Sequence, residues 1–180
     1  MLCESGGVIL TVPLQGDPPA RKEIETLRDE FANFAGRLSP EGHFIAFNSD
    51  EAKPEKWEVY VRPFDPATGK VGDAKWRISK DGNMGMLAWR GKEIFFRGQN
   101  LDSQDFYLMA AGVETSPAFH AKEPRLLFKL PGPLSGSNGA VSRDGQHFVF
   151  AVNVPAGQRQ AENASRLEGS VKSNQPAGHN

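Results

Sequence analysis

The sequence contains a single cysteine, Cys3, among its 180 residues. One cysteine cannot form an internal disulfide, which excludes a small fold held together by disulfide bonds and leaves the redox compartment open. Lys and Arg number 21 against 22 Asp and Glu, so the net charge of −1 gives no electrostatic reason to expect a nucleic acid or an anionic membrane as partner. No apolar run approaches the ~18 residues of a membrane span, and no signal-peptide pattern is visible.

Sequence motifs of catalysis are also missing. The chain has no Gly-x-Gly-x-x-Gly, phosphate-loop or Gly-x-Ser-x-Gly motif. Asp105-Phe106-Tyr107 lacks the glycine of the kinase magnesium motif, and residues 135–139 are typical of a flexible loop. None of the four histidines has a Cys or His at metal-ligand spacing, which argues against a zinc site: they are His43, His120, His147 and His179. We therefore expect no catalytic, cofactor-binding or metal-binding residues, and a protein that is not an enzyme.

A turn followed by an apolar strand occurs twice in the chain, with a degraded copy between. Ser39-Pro40-Glu41-Gly42 leads into His43-Phe44-Ile45-Ala46-Phe47, and Ser142-Arg143-Asp144-Gly145 leads into Gln146-His147-Phe148-Val149-Phe150. Between them, Trp89-Arg90-Gly91 leads into Lys92-Glu93-Ile94-Phe95-Phe96. The turn glycines are about 50 residues apart, a period that is typical of propeller blades made of short strands.

The residues of this turn suit a tight hairpin. Serine can cap the turn with its hydroxyl, and Pro40 presets φ at the second position. Gly42 and Gly145 supply the positive φ that the exit of the turn requires. We expect His43 and His147 to hold matching places just after these glycines and to face outward.

Strand and turn patterns predict an all-β fold: a partial β-propeller of four-stranded antiparallel blades in residues 1–154. The predicted units are a partial blade 8–28, a blade 34–80, a blade 84–128 and a partial blade 138–153. Residues 48–56 and 99–105 are predicted to be polar loops, and either could contact a partner or only solvent. Residues 155–180 contain one Leu, one Val and no aromatic residue, so we expect that tail to be disordered.

Two predictions compete for residues 21–34. Ile24, Leu27, Phe31 and Phe34 have the spacing of an amphipathic helix. The repeat instead predicts a strand near Glu23–Leu27, a loop, and an innermost strand around Phe34–Leu38. We favour the strands, because they continue the pattern of the following blades.

The three tryptophans also allow two interpretations. Trp57, Trp76 and Trp89 could form a ligand platform, but tryptophan in strands more often packs between sheets, and we favour packing. Met84 and Met86 are likewise expected to pack between blades.

The pattern from Ser39 to Phe47, followed by Trp57-Glu58-Val59-Tyr60-Val61, resembles the WD-like repeat of TolB-type β-propellers. It is closer still to the version found in the C-terminal propeller regions of bacterial serine/threonine protein kinases, with a Pro-Asp-Gly turn, an apolar strand and a Glu-Val-Tyr-Val strand. Arg62-Pro63-Phe64, Lys75-Trp76-Arg77-Ile78-Ser79 and Gln146-His147-Phe148 fit the same pattern. The resemblance spans about residues 8–153, although Glu41 stands where the family usually has Asp.

The blade repeat and the absence of catalytic motifs predict a non-catalytic binding or scaffold module that engages a protein or peptide partner. An alternative is an accessory sensor or gating propeller of a larger enzyme, a bacterial serine/threonine kinase or a prolyl oligopeptidase-like peptidase, whose catalytic domain is missing from this chain. Membership of a kinase or of a TolB-like protein would imply an extracytoplasmic location. About two full and two partial blades fall short of the roughly 4–8 blades of a closed propeller. Self-association that closes the propeller, or membership of a longer protein, would supply the rest.

Overall fold

The computed structural model describes residues 2–5, 7–14, 22–54, 56–80, 85–100, 102–130 and 134–152. Within these ranges the chain is all-β, as predicted, and has no helix. Fifteen strands in the described ranges form four antiparallel sheets, which we number I to IV in the order in which they follow along the chain.

Sheets I and II occupy the first half of the chain. Sheet I has the order β1 (Leu2–Ser5), β2 (Val8–Thr11), β3 (Ile24–Leu27). Sheet II has the order β4 (Asn33–Leu38), β5 (Phe44–Lys53), β6 (Lys56–Asp65), β7 (Lys70–Val71), and β8 (Trp76–Arg77) also pairs with β6.

Sheets III and IV follow. Sheet III has the order β9 (Gly85–Arg90), β10 (Glu93–Gln99), β11 (Phe106–Glu114), β12 (His120–Ala121), and β13 (Arg125–Lys129) also pairs with β11. Sheet IV consists of β14 (Leu134–Val141) and β15 (Phe148–Val152) in the described part of the chain.

Several local predictions can be compared with these strands. Residues 22–34, the described part of the segment 21–34, contain the strand β3 and the start of β4 rather than a helix, as the repeat predicted. The polar loop predicted for residues 48–56 is wrong for most of its length, because β5 continues to Lys53 and β6 begins at Lys56. The loop predicted for residues 135–139 is also wrong, since β14 covers them with a register shift between Leu134 and Gly139. The predicted disordered tail, 155–180, and Met84 lie outside the described residues.

The two complete copies of the repeated turn have the same hydrogen bonds. The backbone N–H of Ser39 donates to the carbonyl of Phe44 at 2.9 Å, and that of Ser142 donates to the carbonyl of His147 at 2.9 Å. In return, each serine hydroxyl accepts a bond from the N–H five residues later, at 3.1 and 2.9 Å. His147 is therefore the counterpart of Phe44, and the prediction that it matches His43 is wrong by one residue. All three turn glycines have positive φ, including Gly91 in the shorter copy.

Each sheet packs against the next through alternate side chains of the same strands. Ile45 and Phe47 of sheet II join a core with sheet I, whereas Ala46 between them joins a core with sheet III. In sheet III, Ile94 and Phe96 pack toward sheet II, and Phe95 packs toward sheet IV. Because side chains alternate between the faces of a strand, β5 and β10 can be buried on both sides. The four sheets therefore form a stack in chain order.

Candidate protein-docking site

The register of the hairpins places three residues at the same position of the first strand in sheets II, III and IV. Leu38 pairs with Ile45 in sheet II, Trp89 with Ile94 in sheet III, and Val141 with Phe148 in sheet IV. This position faces the preceding sheet, because Trp89 belongs to the core between sheets II and III and Val141 to the core between sheets III and IV.

Leu38 differs from its two counterparts in exposure. Trp89 is 2% exposed and Val141 is 6% exposed, but Leu38 is 37% exposed. The preceding sheet is sheet I, where β1 is an edge strand of four residues and has no neighbour on its other side among the described residues. In sheets II and III the strand at the corresponding place is paired on both sides. Leu38 thus lacks the cover that a complete preceding sheet would provide.

A cleft of about 370 Å³ opens at Leu38 between sheets I and II, and we call it the Leu38 cleft. Its walls are mostly apolar, which suits the side chains of a protein segment better than a charged metabolite. The residues that line it are Thr11, Val12, Pro13, Ile24, Leu38, Phe64, Pro66 and Gly69. Leu14, which follows this lining segment in sequence, is also largely exposed.

A glycine lies where the two sheets meet at the outer end of the cleft. Gly69 has a φ of +71°, and a Cβ placed on it would lie 2.9 Å from Oγ1 of Thr11 and 3.0 Å from Cδ1 of Ile24. Any other residue would be strained by its backbone conformation and would push the turn away from sheet I. Lys70, the next residue, crosses the same junction and donates its ammonium to the carbonyl of Glu25 at 2.6 Å.

Asp65 starts the turn that ends at Gly69. Its carboxylate accepts bonds from the hydroxyl of Thr68 at 2.7 Å and from the N–H of Ala67 at 2.9 Å. These two bonds favour the charged form and lower the pKa of Asp65 below its usual range. The carbonyl of Asp65 also accepts the N–H of Gly69 at 2.8 Å. The wall formed by this turn is therefore fixed by the protein itself.

A second, smaller cavity of about 250 Å³ lies between the β9–β10 turn and the end of β11. Its lining residues are Gly91, Lys92, Val113, Glu114, Thr115 and Ser116. One lysine and one glutamate provide its charge, and no exposed apolar side chain lines it. It is a weaker candidate than the Leu38 cleft.

Two of the three tryptophans belong to a packed aromatic cluster. Trp76 lies 4.6 Å from Phe119 between ring centroids, and Phe44 lies 6.2 Å from Trp76 and 6.4 Å from Trp89. Trp89 is buried, so this cluster serves as core between sheets II and III. Trp57 is elsewhere, in an edge-to-face contact with Phe34 at 4.6 Å. The tryptophans do not form one platform.

The other residues considered from the sequence are dispersed. His43, His120 and His147 are exposed on separate turns and strands. Among the described residues, no group of three or more His, Cys, Asp and Glu side chains is placed to hold a metal ion. The same residues include no helix long and apolar enough to cross a membrane.

Sequence reasoning did not find the Leu38 cleft. The residues that form it come from four separated segments, and each segment taken alone has the composition of an ordinary turn or strand end. A signal was present in the alignment of the turns, where Leu38 and Val141 stand directly before Ser39 and Ser142. The matching turns could not show that Val141 is buried by the preceding sheet whereas Leu38 is exposed.

Comparison of the chain with protein-family models, with curated proteins and with solved structures found no match in any of the three. The site must therefore be interpreted from its own geometry.

Proposed function

We propose that the chain is a non-catalytic β-propeller module that binds a protein partner at the Leu38 cleft. The observation that carries this proposal is the exposure of Leu38 at a position that is buried in sheets III and IV. An apolar side chain that is left open beside an apolar cleft marks a docking surface more often than a catalytic one.

The propeller arrangement is supported by the first strands of the sheets. β4 lies beside β9, and β9 lies beside β14. Arg37 of β4 donates from its guanidinium to the carbonyl of Leu87 at 3.3 Å, and Arg90 of β9 donates to the carbonyl of Val141 at 3.4 Å. Similar arginine bonds thus link each first strand to the next, as expected if the first strands surround a common axis. The TolB-like sequence pattern agrees with this arrangement.

The partner segment is expected to be apolar and extended. Leu38 and the neighbouring wall offer aliphatic and proline side chains, and among the described strands sheet I ends beside them at the short edge strand β1. A strand added to such an edge gains backbone hydrogen bonds from the edge and side-chain burial from the cleft. A protein segment can supply both.

A random-peptide display library panned on the full chain, immobilised at low density, tests the proposal. We expect enriched peptides with alternating apolar residues. These peptides should bind the Leu38→Asp variant at least about tenfold more weakly than the wild-type chain, because a bound peptide would desolvate the aspartate carboxylate. Leu126→Asp is the matched control, since Leu126 is 57% exposed and lies on another sheet. Equal binding to both variants, or no enrichment on the wild-type chain, would refute the proposed docking site.

A further inference from the structure

Sheet IV has a second open surface, and it is complementary to the Leu38 cleft. β15 follows the Ser142 turn as β5 follows the Ser39 turn, so β14 and β15 correspond to the first and second strands of sheet II. In sheet II a third strand, β6, pairs with the other side of β5. In the described part of the chain, β15 has no strand on that side.

The residue that reports this opening is Val149. It pairs with Ala140 and stands one residue after Phe148, so its counterparts are Ala46 in sheet II and Phe95 in sheet III. Ala46 is buried against sheet III and Phe95 is buried against sheet IV. Val149 is 67% exposed, because no further sheet covers it within the described residues.

A third exposed apolar residue shows that the uncovered surface extends from sheet IV to the outer strand of sheet III. Phe128 lies on the outer strand β13 of sheet III and contacts Phe148 edge-to-face at 5.8 Å. It is 41% exposed, and among the described residues sheet IV has no outer strand beside β15 that could extend over it. A partner that completes sheet IV would therefore bring a third and a fourth strand to β15, in addition to a face that covers Val149.

Sheet I contains strands of these two kinds. Val12-Pro13-Leu14 directly follows β2, and the similar Arg62-Pro63-Phe64 lies near the end of β6. β2 pairs with an outer strand, β3, from which the chain continues into the first strand of the next sheet. β2 and β3 are therefore counterparts of the third and outer strands of sheet II. The strand beside β2 is β1, which corresponds to a second strand, and no first strand lies next to it in the described part of the chain.

We propose that two copies of the chain bind each other reciprocally, with β15 of each copy taking the place of β1 along β2 of the other. This deepens the proposed function, on which it rests, by naming a second copy as the partner at the Leu38 cleft. β14 and β15 then provide first and second strands, and β2 and β3 provide third and outer strands, of one composite sheet. β15 thus replaces the four-residue strand β1, and β14 supplies the first strand that sheet I does not have among its described residues.

The exchange explains all three exposed residues. Ala46 and Trp89 share one core, and Phe95 and Val141 share the next. Since Val149 corresponds to the first residue of each pair and Leu38 to the second, Val149 of one copy would meet Leu38 of the other. The same packing that joins consecutive sheets within the chain would continue across the junction, and β2 and β3 would extend over Phe128. Two copies then give four complete and two composite sheets, a closed ring of six.

Disulfide trapping between positions 38 and 149 tests this contact in the full chain. Cys3→Ser removes the single native thiol, and Leu38→Cys or Val149→Cys is added to separate samples, which are then mixed and oxidised. We expect a disulfide-linked pair as the main product of the mixture, because the two introduced thiols would face each other across the same junction. Replacing Val149→Cys by Leu126→Cys is the matched control, and we expect it to leave the mixture monomeric under non-reducing conditions.

Sedimentation of the unmodified chain measures the closed pair directly. We expect a concentration-dependent species of twice the 19.7 kDa chain mass, and we expect Val149→Asp to abolish it while urea unfolding shows that the variant still folds. A chain that stays monomeric, a ladder of larger species, or trapping equal to the Leu126→Cys control would overturn the two-copy ring. If the chain stays monomeric but panned peptides still distinguish Leu38→Asp from Leu126→Asp, the proposed function stands and the partner is another protein.

Discussion

The hydroxyl of Ser79 links the buried carboxylate of Glu58 to the backbone of the same strand. Ser79 donates its proton to Oε2 of Glu58 and accepts the N–H of Val59 at 2.8 Å. Glu58 is only 4% exposed. A buried carboxylate destabilises the folded state unless it accepts hydrogen bonds. The bond from Ser79 to Glu58 therefore holds the segment after β8 against β6.

Replacing Ser79 by alanine removes a donor from Glu58 and an acceptor from Val59 at once. We expect Ser79→Ala to lower the free energy of unfolding by about 1–3 kcal/mol. Ser103→Ala is the control, because Ser103 lies in an exposed loop and should change the free energy little. Urea unfolding of the three proteins measures both values, and equal stabilities would show that the Ser79 bonds contribute nothing net.

Two leucines of sheet III test the stacked cores. Leu108 is fully buried between sheets III and IV, whereas Leu126 is exposed. Leu108→Ala should cost about 2–5 kcal/mol through lost burial and a residual cavity, and Leu126→Ala less than about 0.5 kcal/mol. Thermal or denaturant unfolding distinguishes them. A small effect of Leu108→Ala would mean that sheet IV does not pack on sheet III.

The first turn glycine isolates the effect of backbone conformation. Gly42 has a φ of +81°, and a Cβ there would meet no atom within 4 Å, so substitution would test φ alone. Gly42→Ala should cost about 1–2 kcal/mol, and Gly42→Asn less, because asparagine tolerates the left-handed region better. Gly112→Ala is the control, since its φ is not in that region and the new Cβ would only touch the flexible side chain of Lys122. Urea unfolding of the three variants measures these free energies. A Gly42→Ala variant as stable as Gly112→Ala would show that the positive φ of Gly42 contributes nothing.

The second turn makes a prediction about pH. The hydroxyl of Ser142 donates to Asp144, and the N–H of Gln146 donates to it at 3.0 Å; both bonds lower the pKa of that carboxyl. Because the folded pKa lies below the unfolded value of about 3.9, the stabilisation is complete above that value and is lost as the pH falls through the folded pKa. An NMR titration of the Asp144 carboxyl should show the lowered midpoint, and Ser142→Ala should raise it. A midpoint that Ser142→Ala leaves unchanged would exclude the hydroxyl as the cause.

Hairpins and sheets were predictable from the sequence where one local pattern determines them. The Ser39 and Ser142 turns carry their own glycines and caps, and the strands after them alternate or run apolar as buried strands do. Residues 48–56 were misassigned because their polar composition is typical of a loop, whereas the pairing of β5 with β6 extends both strands through it. Tertiary pairing overrides local composition in such cases.

The candidate site could not be predicted in the same way. Its defining property is that Leu38 lacks a cover that Val141 has, and this depends on how many strands the neighbouring sheet contains. The close approach of Gly69 to Thr11 and Ile24 joins segments more than 40 residues apart in sequence. A local sequence pattern cannot predict a contact between such distant segments.

The radial arrangement of the sheets is the central claim, and distances between spin labels test it most directly. In a Cys3→Ser background, one doubly labelled protein carries labels at Leu38 and Arg90, on the first strands of sheets II and III, and another carries them at Arg77 and Leu126, on their outer strands. If the sheets are blades around an axis, pulsed EPR should give a clearly longer distance for the outer pair than for the inner pair, since blades diverge outward. Equal distances would describe a parallel stack of sheets and contradict the propeller.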